Sequence, residues 1–407
     1  MKSPDLTHTA PLKSFLAARI STNLSYQMLS VAVGWQIYAL TGSAFTLGLV
    51  GLVQFLPMFL LTLGVGYAAD RFNRKSIVRI CQLIEGAGAL ALSLGSHGGW
   101  ISARCILAIV FAIGAARAFE VPTMQTLLPA LVSPELFPRA AAWSTAAGQA
   151  ALIMGPALGG LLYLAGPTTV YAATAGMCWL GFLFISLTRI ERTLAKPQPV
   201  SLRSLFAGIA FIRTRPVILG GISLDLFAVL LGGTTALLPI FAQKILGVGS
   251  VGLGLLRAGP AAGALLMSIT LARRPLRRRV GRTMFIAVII FGVATIFFAL
   301  SRSFLLSLAA LIVLGAADVI SVVIRVSLVQ MGTPDEMRGR VSAINFMFIG
   351  TSNQLGEFES GLTAAWFGTV PAVLIGGVGT ILVALVWMRL FPQLAGVDAL
   401  ESRTIET

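Results

Sequence analysis

Ten charged side chains fall inside, and away from the ends of, stretches that are otherwise almost wholly apolar: Arg19, Glu85, Arg117, Glu120, Asp225, Arg257, Asp318, Arg325, Glu357 and Glu359. Left isolated in hydrocarbon, each would cost roughly 2.5 to 3.5 kcal/mol even on the lenient insertion scale, so each must pair with another group or face water. Carboxylates held in a low dielectric can take up and release a proton under physiological conditions. A guanidinium offers a fixed charge and a fork of donors to a polar or anionic ligand. Spacing sorts these groups onto faces. Arg19, Asn23 and Gln27 recur at i, i+4, i+8, and Asp318, Ser321 and Arg325 at i, i+3, i+7, so each set shares one face of a helix. Glu357 and Glu359 stand about 200° apart at 100° per residue, so one of them at most faces a given cavity. Arg257 is a candidate neighbour for that carboxylate.

Hydrolytic or redox chemistry has no foothold. His8 and His97 lie outside the apolar stretches, and there is no zinc-type His/Glu motif and no phosphate loop. Gly247, Gly249 and Gly252 match the GxGxxG spacing, but without a strand, turn and helix around them the match is chance. Cys81, Cys105 and Cys178 lack paired spacing for a disulfide or a metal site and are expected to pack. No enzyme activity, metal or cofactor is expected.

The elements that must position these charges are membrane helices. Of 407 residues, 57% are hydrophobic and 11% charged, too little polar surface to cover a soluble core. Apolar stretches of roughly 20 residues, each able to cross a ~30 Å hydrocarbon layer, recur twelve times. Their expected spans are 15–40, 46–69, 77–94, 105–128, 140–164 and 169–188, then 217–242, 251–272, 284–300, 305–328, 341–366 and 370–390. A shift of 201 residues lays the chain partly on itself: Gly114, Glu135, Arg139, Gly155 and Gly160 reappear as Gly315, Glu336, Arg340, Gly356 and Gly361. The expected fold is therefore all-α, with twelve transmembrane helices in two pseudo-symmetric six-helix bundles, an arrangement found in secondary transporters. Residues 1–188 form the first bundle, 189–215 a linker with an amphipathic helix on the inner membrane surface, 216–391 the second bundle and 392–407 a tail.

A net charge of +15 raises nucleic acid as a partner, but placement argues for topology instead. With the N-terminus inside, 23 of the 30 lysines and arginines fall in inner segments and three, Arg104, Lys244 and Arg302, in outer ones. The positive-inside rule then puts both termini in the cytoplasm.

Two motifs carry a family resemblance. Gly66-Tyr-Ala-Ala-Asp70-Arg71-Phe-Asn73-Arg74-Lys75 resembles the GxxxDRxGRR signature of the major facilitator superfamily, with Asn73 where that family usually has Gly. Gly155-Pro156-Ala-Leu-Gly159-Gly160 resembles the GPxxGG core of its exporter motif. The linker segment Leu202 to Gly208 and the Thr333 to Arg340 loop are similar in texture to the drug:proton antiporter branch that includes enterobactin and macrolide exporters. The resemblance implies alternating access, a central cavity lined by helices one, four, seven and ten, and an inner gate latched by Gly66, Asp70, Arg71 and Arg74. Substrate contacts are then expected from Arg19, Asn23, Gln27, Arg117, Ser321 and Arg325. Proton carriers are expected among Glu120, Asp225, Asp318, Glu357 and Glu359. Arg117 and Asp318 are repeat equivalents of opposite charge and suit a cross-cavity pair. The implied activity is proton-coupled export of a small amphiphilic molecule, siderophore or drug, from the bacterial inner membrane by a monomer among membrane lipids, with the proton gradient as the energy source. A lipid or lysophospholipid transporter of the same fold and a non-transporting scaffold or sensor are the alternatives.

Overall fold

The computed structural model describes residues 10–188, 202–276 and 278–399, and these contain helix, turn and loop but no strand. The helices are α1 (Ala10–Thr41), α2 (Ala44–Arg71), α3 (Arg74–His97), α4 (Ala103–Leu131), α5 (Phe137–Leu162), α6 (Pro167–Leu187), α7 (Leu202–Arg213) and α8 (Pro216–Leu231). They continue with α9 (Leu238–Ile240), α10 (Gly249–Arg273), α11 (Val280–Leu300), α12 (Phe304–Met331), α13 (Asp335–Phe367), α14 (Thr369–Leu390) and α15 (Pro392–Ala395). Among the described residues, ten helical segments are long and apolar enough to cross a membrane. The other two expected spans, α1 and α13, have the length, 32 and 33 residues, but carry Asn23, Gln27, Asn345, Asn353, Gln354, Glu357 and Glu359 along it. Polar residues at that depth mark faces turned to protein or water rather than lipid. Lipid-type surface is plain elsewhere: Leu60, Leu164, Phe297, Leu305 and Leu306 are exposed.

The chain forms two compact units, Met1–Thr41 with Leu56–Pro199 and Ser250–Ala258, and Gly42–Phe55 with Val200–Gly249 and Gly259–Thr407. They differ from the expected halves at two places, the start of α2 and the start of α10. In the first unit α1 packs on α5 and α6, and α3 on α4 and α6, around Phe15, Ala18, Val78, Leu127 and Ile185. In the second unit α8 packs on α13 and α14, and α11 on α12 and α14, around Leu224, Met284, Phe285, Ile324 and Ala384. The pairing is the same helix for helix, which is the repeat expressed as packing. A backbone detail repeats too. Gly166 enters α6 at φ 94°, ψ 164°, and Gly368 enters α14 at φ 91°, ψ 161°, a conformation open only to glycine.

Several local expectations change. Asn73, where the family usually has Gly, sits at φ −63°, ψ 120° and caps α3, its Oδ1 accepting from the Lys75 N–H at 2.9 Å. The expected continuous helix over 217–242 breaks at Gly232 and Gly233 into a 3-10 turn, α9 and a π turn over Phe241–Ile245. The break fits where a Cβ on Gly233 would run into the Gly356 carbonyl of α13, so the chain must be glycine there. The linker helix α7 packs its described apolar residues Ile209 and Ile212 with Val341 and Ile344 of α13, with Gly208 admitting the Ile344 side chain, while the side chains of Leu202, Leu205 and Phe206 lie outside the described ones. The start of the expected tail is also packed. Leu394 is 0% exposed, and Asp398 accepts from the Arg279 N–H at 3.0 Å, capping α11 where Arg279 adopts φ 55°.

α10 and α12 cross closely: a Cβ on Gly263 would meet the Ile312 carbonyl, and one on Gly315 the Pro260 carbonyl. Rigid backbone on both sides cannot yield as a side chain would, and overpacking typically costs about 1–3 kcal/mol or more. Gly315→Leu is expected to lose most of its monodisperse yield in size-exclusion chromatography, whereas Gly148→Leu, at a glycine with open space around it, keeps it.

Candidate functional site

Each unit holds one arginine and two carboxylates inside its helices. In the first, α4 carries Arg117 and Glu120 one turn apart and α3 carries Glu85. Arg117 Nη1 lies 3.7 Å from Glu85 Oε2 and 3.5 Å from Glu120 Oε2, and its guanidinium stacks over the Tyr26 ring of α1 at 3.9 Å. Gln82 Nε2 donates to Glu120 Oε1 at 3.1 Å. Glu85 and Glu120 are 3% and 2% exposed. Glu85 Oε1 and Gln82 Oε1 are both buried without a hydrogen-bond donor.

In the second unit, α12 carries Asp318, Ser321 and Arg325 on one face and α8 carries Asp225. Arg325 is 1% exposed; its Nη1 lies 3.0 Å from Asp225 Oδ2 and donates to Asn345 Oδ1 of α13 at 3.1 Å. A small cavity of about 10 Å³, room for about one water molecule, opens beside Asp225, lined by Asp225, Asp318, Ser321, Val229 and Phe291 among others. Asp318 forms no ion pair within 4 Å to a described residue, so the Arg325 guanidinium pairs with Asp225 alone while both acids line the cavity.

The remaining expected site residues are placed as follows. Arg19, Asn23 and Gln27 are half-buried along α1, and Arg19 Nε is buried without a partner. Gln27 is also a packing residue, because a Cβ on Gly155 of α5 would strike its own Cβ. Gly159 lies against the Met28 backbone and Gly160 against Ser250 and Gly254, so the exporter-type motif with Pro156 is a close-approach face of α5. Glu359 accepts from Thr363 Oγ1 at 2.7 Å. Glu357 lies beside Gly51 of α2, where a Cβ would come within 3.2 Å of its Oε2. Arg257 donates to the Ser30 carbonyl of α1 at 3.3 Å. Of the gate motif, Arg71 ends α2 and Arg74 begins α3, while the side chains of Gly66 and Asp70 lie outside the described ones.

Sequence reasoning gave Glu85 no role and passed over Gln82, Tyr26 and Asn345. Glu85 had a signal, being an acid in an apolar span beside Gln82 at i, i+3. Asn345 had none, since it reaches Arg325 from another helix.

Comparison with known proteins supplies the context. The Major Facilitator Superfamily model matches residues 15–357. The chain is 28% identical over 400 residues to the enterobactin exporter EntS of Citrobacter koseri, covering 95% of this chain and 93% of that one. It is 25% identical to the protein of the same name from Shigella boydii at the same coverage. Among solved structures, a bacterial homologue of the human lysosomal transporter Spinster superposes with TM-score 0.75 at 14% identity over 95% of this chain and 97% of that one. A bacterial homologue of the iron transporter ferroportin gives 0.72 at 16% identity, covering 97% of this chain and 100% of that one.

Proposed function

Because this chain belongs to the Major Facilitator Superfamily, a family of membrane transporters, we propose that it is a proton-coupled exporter of a small amphiphilic molecule of the siderophore or drug type, working by alternating access. The observation that carries the export reading is kinship to enterobactin exporters along nearly the whole length of both chains. Proton coupling is supported by two sets of carboxylates, Glu85 and Glu120 around Arg117, and Asp225 paired with Arg325 while Asp318 lines the same small cavity; Asp318, outside any ion pair within 4 Å to a described residue, is the foremost carrier. Glu120 and Asp225 belong to the same sets, and Glu357 and Glu359 remain carriers in reserve. Arg19, Asn23 and Gln27 on α1, with Arg117, are proposed for substrate; Arg325 acts as the counter-ion of Asp225, with Ser321 at the cavity wall. The charge bias between alternate loops supports a cytoplasmic-membrane protein with both termini inside.

Energy suffices. One proton moving inward through about 150 mV is worth roughly 3.5 kcal/mol, an outward gradient of a few hundredfold. The test is uptake of enterobactin into inside-out proteoliposomes under an imposed pH difference. Accumulation above the external concentration, abolished by a protonophore, is the expected result. Transport that is indifferent to the protonophore removes proton coupling, and no transport of enterobactin removes that substrate.

A further inference from the structure

We infer that Glu85 and Glu120 share one exchangeable proton over Arg117, which makes the α3–α4 cluster of the first unit a proton-binding site in its own right. Charge comes first. Two carboxylates around one guanidinium, nearly sealed from solvent, would leave one negative charge unmatched, and an unmatched buried charge is what such interiors do not hold. The surroundings do not supply the missing positive charge. Tyr26 on α1 offers its ring face to Arg117, α3 and α6 bring the thiols of Cys81 and Cys178, and Cys178 Sγ lies 3.3 Å from Ser25 Oγ. On α1, Arg19 and Lys13 form no ion pair within 4 Å with a described residue.

Donor bookkeeping is the second and independent observation. Glu85 Oε1 and Gln82 Oε1 are buried acceptors with nothing donating to them, three residues apart on one face of α3. Buried polar atoms are seldom left so. A proton on Glu85 converts one of these idle acceptors into an O–H donor, and its departure restores a carboxylate that Arg117 can match only by releasing its hold on Glu120. Arg117 Nη1, at ion-pair but not hydrogen-bond distance from both acids, is seated to serve either. Both acids stand within 4 Å of the same guanidinium nitrogen, so a proton on one decides how Arg117 meets the other.

The site deepens the antiport reading, and its use in transport rests on that reading; its existence does not. The test is therefore spectroscopic. The full chain carrying Asp318→Asn, so that the second unit's cavity acid is silent, is reconstituted in lipid vesicles, and the infrared C=O stretch of protonated carboxyl groups is followed with pH. Subtracting Glu85→Gln from this parent is expected to remove the band of one carboxyl near neutral pH, and subtracting Glu120→Gln to remove the same band, because either change leaves one carboxylate matched by Arg117. A band retained in either variant, or absent from the parent, overturns the proposal. Should one variant fail to fold, the other and the parent's own titration decide: a parent band that does not bleach on alkalinisation also overturns it. A chain that moves no enterobactin still gives this spectrum, so failure of the site and failure of the export reading are told apart.

Discussion

Asp318→Asn is expected to abolish accumulation of substrate against its gradient while leaving downhill exchange within about twofold of the unaltered chain, because the link to the proton gradient is lost and binding is not. The amide keeps the shape of the carboxyl group, and no ion pair within 4 Å is broken by removing its charge. What disappears is a group beside a cavity, one helical turn from Ser321, that can hold and release a proton. The magnitude is large, since the gradient should fall from roughly a few hundredfold to equality. Proteoliposomes loaded for counterflow and for pH-driven uptake separate the two readouts. If the variant still concentrates substrate under a pH difference, Asp318 is not the carrier, and the Glu85–Glu120 pair or Asp225 takes its place.

Helix positions were legible because lipid imposes length and apolarity together. The 201-residue repeat was legible too, since glycines at close crossings recur where the same helices meet, as with Gly155 and Gly356. The break at Gly232–Gly233 was not, because its residues are as apolar as the helix on either side and only the approach of the α13 backbone demands it. The packed segment around Leu394 was hidden for another reason: Asp398 caps α11 from far along the chain, and sequence spacing says nothing of that. Among the charges, Arg117 with Glu120 could be read from i, i+3 spacing. Arg325 illustrates the opposite case. Its place on the Asp318 face made it a candidate for substrate, yet its guanidinium meets Asp225 and Asn345 on two other helices, and tertiary pairing of that kind leaves no local trace.

That pairing sets up the second large effect. Arg325→Ala is expected to destabilise the second unit by about 3–5 kcal/mol, the range for removing one partner of a buried ion pair. The loss has two parts. Asp225, 7% exposed, is left buried without its counter-ion, and Asn345 Oδ1 loses its donor. Removing a fully buried long side chain adds a void between α8, α12 and α13. The decisive measurement pairs this variant with Arg325→Met combined with Asp225→Leu, in which no charge is stranded and most of the volume is kept. Apolar replacement of a buried pair is often neutral or better, so the double variant should recover most of the thermal stability in detergent that Arg325→Ala loses. The double variant being as unstable as the single one would mean that packing, and not the stranded carboxylate, carries the effect. Recovery of stability without recovery of pH-driven export would in turn assign the Asp225–Arg325 pair to coupling rather than to folding alone.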